Sequence, residues 1–206
     1  MMGLVYGVSM DILLGMAGIF AYLPAGPEST AVEAINLPFF LQILNAFVSY
    51  GLAVATTALI ADSVVGENHS PNFPKYFTGA IIAIGAMGIF FSAPTSFFMM
   101  ISCGAVLVAS GELVLTYTKK CGPLVLLLSE KSVLPFLKLW AFSMIIGASY
   151  EIANLFFPFW VWLPSAEIPD SWIRILVIVF GYFALFHSIA VIWHLINPES
   201  QKYSSK

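Results

Sequence analysis

Charge is scarce in this chain. Of its 206 residues only 9% are charged and 60% are hydrophobic, where an average soluble domain is about 25% charged. With a mean hydropathy of +0.92, an ordinary soluble domain is excluded and a lipid-solvated chain is implied. Basic clusters are also missing. Nothing exceeds the Lys119-Lys120 pair, and the net charge is -3, so neither nucleic acid nor strong attraction to anionic headgroups is expected. Cys103 and Cys121 lack metal-ligand or CxxC spacing and read as reduced thiols. No GxSxG, HExxH, Walker or GxGxxG pattern occurs, which leaves hydrolases, zinc proteases and nucleotide-fold enzymes without support. No Lys or Arg falls deep in an apolar run, so a buried phosphate or carboxylate ligand would lack a countercharge. A neutral or transiently cationic apolar ligand fits better.

What the chain does have is apolar runs of membrane-spanning length, about 20 residues each. The first, Leu4 to Leu23, lacks the basic start of a secretory signal and reads as a retained span. It stops at Pro24-Ala-Gly-Pro27. The second runs from Leu37-Pro38 to Val65. Gly66 to Tyr76 is a loop by its Gly, Asn, Ser and Pro content. Residues 77–118 are too long for one helix and break at Ser92-Ala-Pro-Thr-Ser96 into spans 77–93 and 96–118. Loop 119–132 contains an LVLLL core that packs on the bundle or dips into the interface. Span five is 133–157. The loop from Pro158 to Trp172 places tryptophans at headgroup level, and span six is 173–195.

The expected architecture is therefore all-α: one domain, residues 1–206, forming a polytopic membrane bundle of about six transmembrane helices. An even number of spans puts both termini on one side. All the lysines fall on that side and Arg174 alone on the other, so the positive-inside rule makes both termini cytoplasmic, in a plasma membrane or endoplasmic reticulum protein.

Intramembrane ionisable groups are costly and usually functional. Counting about 1.5 Å per helical residue, Asp11, Glu112 and His187 share one layer about 20–24 Å from the outer surface. Glu151 lies alone, about 9 Å from that surface. Asp11, Glu112 and His187 can divide protonation states among themselves and form an inner acid–base group. Glu151 would be an outer acid or cation stabiliser, with Asn154 and Tyr150 orienting it. Ser143, Gly147, Glu151, Asn154 and Pro158 share one helix face. Asn45 on span two, Tyr182 and Trp160 complete the candidate substrate-binding set, beside aromatic rings able to stabilise positive charge. The alternative reading of these polar groups is helix–helix hydrogen bonding. His187 and His194 are two turns apart, too far for one metal ion. No metal and no cofactor is expected.

The stretches Phe98 to Thr118 (FMMISCGAVLVASGELVLTYT), the Glu151 helix and Phe183 to Trp193 (FALFHSIAVIW) together resemble the integral-membrane terpene cyclases of fungal meroterpenoid and indole-diterpene pathways. The resemblance covers the C-terminal half. Those enzymes are longer and carry an aspartate where His187 stands and a Trp-Glu pair where this chain has the Asn45 to Tyr50 stretch. The resemblance implies a cavity that His187 faces, and a membrane enzyme performing cyclisation, isomerisation or epoxide opening on a neutral lipophilic, isoprenoid or polyketide-derived molecule. Two other functions suit the same residues: a small proton- or cation-coupled transporter or substrate-binding subunit, and a non-catalytic subunit of a membrane complex. The expected partners are the lipid bilayer, a lipophilic small molecule, and a second copy or complex subunit, with no nucleic acid.

Overall fold

In lipid the backbone has no water to bond, so apolar runs of this length satisfy their N–H and C=O groups within helices. The computed structural model describes residues 20–22, 39–67, 72–92, 96–156, 160–162 and 168–197. Within them lie strand β1 (Phe20–Tyr22), helix α1 (Phe39–Val64), β2 (Gly66–Glu67), α2 (Asn72–Phe91), α3 (Phe97–Tyr117), β3 (Lys120–Cys121), α4 (Pro123–Ser129), α5 (Val133–Phe156), β4 (Trp160–Trp162), α6 (Asp170–Leu176) and α7 (Tyr182–Ile196). A π-helical turn, Val177–Gly181, joins α6 to α7. Among the described residues, four helices are long and apolar enough to cross a membrane: Pro74–Phe91, Phe97–Tyr117, Val133–Phe156 and Ser171–Ile196. Helix α1 is 26 residues long.

The boundaries follow local chemistry. Ser96 caps α3, accepting a hydrogen bond from the Met99 N–H at 3.1 Å, as an extended serine at a helix start does. Pro123 opens α4 behind Gly122, where a missing N–H costs nothing. Helix α2 starts five residues earlier than expected because Pro74 lies in its first turn, the one place a helix tolerates proline.

One expectation is corrected. The first span was expected to run as helix to Leu23, but Phe20–Tyr22 is a strand, paired antiparallel with Trp160–Trp162 in the register Phe20↔Trp162 and Tyr22↔Trp160. Aromatic residues suit a paired extended backbone. The rest of that span, Asp11 included, lies outside the described residues.

Chain direction alternates from α1 to α2, α3, α5 and α7. The ribbon β1–β4 therefore sits at one end of the bundle and β2–β3 (Gly66↔Cys121, Glu67↔Lys120) at the other. Lys120 is ion-paired with Glu67 across the second ribbon. Helix α7 is the centre: it packs against α1, α3 and α5, while α2 pairs with α3, and α4 lies on α5. Residues 186–191 of α7 are all buried, around a core that includes Leu139, Ile173, Tyr182, Phe186 and Ile189.

Candidate functional site

The central helix carries two polar clusters on two of its faces. Toward the β1–β4 end, Glu151 of α5 is 2% exposed. Its Oε2 accepts a hydrogen bond from the Arg174 guanidinium at 2.9 Å and its Oε1 accepts one from the Tyr182 hydroxyl at 3.0 Å. Arg174 and Tyr182 are eight residues apart, which in a plain α-helix sets them about 80° apart. The π turn between them absorbs one residue and brings both to the same face. Trp140 of α5 donates its indole N–H to the Val179 carbonyl inside that turn, at 2.8 Å, satisfying an acceptor where the regular ladder is interrupted.

Room for this cluster comes from Gly147, one turn before Glu151 on α5. A methyl group there would run into the Tyr182 ring. Gly147→Ala is expected to force Tyr182 off Glu151 and to lower stability by about 1–3 kcal/mol. Thermal melts in detergent, beside Tyr182→Phe as the variant that removes only the hydroxyl, measure it.

The remaining residues expected around Glu151 have particular positions. The Tyr150 hydroxyl donates to the Ser49 carbonyl of α1 at 2.8 Å, and its ring stacks on Tyr182 at 6.1 Å, so it supports the ligand of Glu151. Asn154 receives the Trp160 N–H at 3.2 Å and donates to the Trp160 carbonyl at 3.0 Å. Its amide thus fastens β4 to the end of α5. Arg174, expected only as the one base on the outer side, stands in α6 with a side chain 15% exposed and serves as the countercharge of Glu151. Asn45 lies in α1, with its side chain outside the described atoms.

Toward the β2–β3 end, Glu112 of α3 and His187 of α7 meet. His187 Nε2 lies 3.0 Å from Glu112 Oε1, and both residues are fully buried. Two backbone donors hold the same carboxylate: Gly122 N–H on Oε2 at 2.7 Å and Leu124 N–H on Oε1 at 2.9 Å. These are the first amides of α4, which have no partner within the helix. Gly122 permits the approach, since a Cβ there would stand 2.6 Å from Glu112 Oε1.

An ionised carboxylate only accepts, so Nε2 carries a proton and donates, and in the neutral ring Nδ1 is a bare lone pair. His187 Nδ1 is buried with no hydrogen-bond partner among the described residues. Phe183 lies beside the ring, centroids 6.0 Å apart. His194 Nδ1 is 3.9 Å from Asp62 Oδ1, two turns further along α7.

Two of the three residues expected in one layer, Glu112 and His187, are therefore in contact. Among the described residues no three His, Cys, Asp or Glu converge as a metal site. Burial pushes the Cys121 thiol up to about 12, with Glu112, Glu130 and Glu67 adding to the effect. It therefore stays a thiol near neutral pH and contributes no nucleophile. The backbone donors to Glu112 and the countercharge of Glu151 were not foreseen. The eight-residue spacing of Arg174 and Tyr182 gave no signal of the latter, since the π turn and not the spacing aligns them. No family model, no curated protein and no solved structure matches this chain.

Proposed function

We propose that the chain is an integral membrane enzyme of six spans with both termini cytoplasmic. It performs acid–base chemistry, of the cyclisation, isomerisation or epoxide-opening kind, on a neutral lipophilic molecule. The observation that carries this is the Glu112–His187 pair. A carboxylate that fixes one imidazole nitrogen as donor leaves the other as a base and stabilises the imidazolium formed when it takes a proton. Glu112 does this from a site where two amides hold its own oxygens still. The proton goes to Nδ1 and returns from it, so the pair serves as base and then as acid without a cofactor.

The resemblance to integral-membrane terpene cyclases supports the same chemistry. Glu151, already matched by Arg174 and Tyr182, has the part of a fixed negative charge near the outer end.

The test is chemical. Neutral lipophilic compounds that co-purify with the protein are identified by mass spectrometry and offered back to it in nanodiscs. The wild type is expected to convert one of them, and His187→Ala to lower turnover by roughly 10²–10⁴-fold, the usual worth of a positioned acid or base. Product formation unaffected by both His187→Ala and Glu151→Gln would end the proposal.

The transporter reading draws on one observation: the central helix contacts two buried carboxylates, Glu151 through Tyr182 in its first turn and Glu112 through His187 five residues further on. A substrate-driven pH change in proteoliposomes would favour it over catalysis.

A further inference from the structure

We infer that the seam between α3 and α7 binds a lipophilic molecule carrying a hydrogen-bond donor, an alcohol or a phenol, and that His187 Nδ1 receives that donor. This deepens the acid–base reading above, on which it rests for the role of His187.

The seam is lined by residues with little side chain. On α3, Gly104 and Gly111 are seven residues apart, two turns along one face. A Cβ on Gly104 would touch the Ala184 methyl at 3.8 Å. One on Gly111 would stand 3.0 Å from His187 Cε1, 3.2 Å from His187 Nδ1 and 3.2 Å from a Val191 methyl. Small residues let helices approach closely.

A seam of glycine and alanine would be packing and nothing more without the second observation. His187 is fully buried, and its Nδ1, without a hydrogen-bond partner among the described residues, lies against Gly111, where α3 offers no side chain. A buried acceptor left unmatched is costly, and a ligand donor relieves that cost.

The chemistry of that nitrogen selects the ligand. With Glu112 an ionised carboxylate 3.0 Å away, Nε2–H is its donor, and Nδ1 of the neutral ring can accept but not donate. An ether, ester or ketone would set one lone pair against another. A carboxylate or phosphate would do the same and would need a cation, whereas the buried arginine of this chain is matched to Glu151. A hydroxyl on an apolar body satisfies the nitrogen and leaves the rest of the ligand among apolar side chains.

The experiment compares para-nonylphenol with its methyl ether, para-nonylanisole, on the full chain in nanodiscs. His69→Gln and His194→Gln leave His187 as the one histidine, labelled for nitrogen NMR. The phenol is expected to move the Nδ1 resonance in the direction of an accepted hydrogen bond and to bind about tenfold more tightly than the ether. The ether is expected to leave the resonance in place. Gly111→Ala, which sets a methyl beside Nδ1, should remove the difference between the two probes.

Equal affinities, or an Nδ1 resonance that the phenol leaves unmoved, overturn the inference. If the phenol binds as expected while turnover ignores His187→Ala, the seam stands and the catalytic reading falls. If turnover depends on His187 but the two probes bind alike, the catalytic reading stands and the ligand class falls.

Discussion

Replacing Arg174 with methionine is expected to destabilise the protein by about 3–5 kcal/mol, because it leaves the Glu151 carboxylate buried without its countercharge. Glu151 is 2% exposed and accepts from Arg174 and Tyr182, so the change removes the guanidinium and keeps the tyrosine hydroxyl. The sign is distinctive in the double variant. Arg174→Met with Glu151→Leu should recover most of the loss, since apolar side chains of similar volume replace a buried ion pair at little cost. A residual deficit of about 1 kcal/mol is expected from the Tyr182 hydroxyl, stranded without an acceptor. Unfolding in mixed micelles for wild type, the two single variants and the double variant closes the cycle. If the double variant is as unstable as Arg174→Met, the pair is not what holds α5 to α6.

Glu112→Ala is expected to cost as much, about 3–5 kcal/mol, and to act on a different part of the bundle. It strands three donors at once: the Gly122 and Leu124 amides and His187 Nε2, each buried donor without an acceptor costing about 1–3 kcal/mol before relaxation. The readout that separates this from general loosening is amide exchange. Gly122 and Leu124 should lose protection in Glu112→Ala while the α2–α3 pairing keeps it. Glu112→Gln is the milder control, for its amide nitrogen must face one of those donors. Protection at Gly122 and Leu124 equal to wild type in Glu112→Ala would refute the role assigned to the carboxylate.

The helices were legible because spanning length and punctuation by proline, glycine and serine leave few choices, and α3, α5 and the α4 packing agree with that reading to within a residue or two. The meeting of Glu112 with His187 was legible as depth alone. Helix rise put both in one layer, while the rotation that faces them to each other is set by packing, here by Gly111 giving way to the imidazole. At Arg174 the reading stopped at position, the outer end of span six, because the rotation of a side chain about its helix axis leaves no mark in composition. The structure begins a helix at Asp170 and uses a π turn to swing Arg174 in line with Tyr182. Backbone donors such as the Gly122 and Leu124 amides have no signature in a residue list. Strand β1 escaped because its partner lies about 140 residues away, beyond any local pattern.

The clasp on Glu112 also bears on the order in which the chain is made. His187 follows Glu112 by 75 residues, so at a synthesis rate of about 5–20 residues per second the acid waits roughly 4–15 s for the imidazole. Gly122 and Leu124 follow it by only 10 and 12 residues and emerge within roughly 0.5–2.4 s. The amides at the start of α4 are therefore a provisional holder. They keep a newly made acid from standing bare in the bilayer until the last of the described helices arrives to fill the centre.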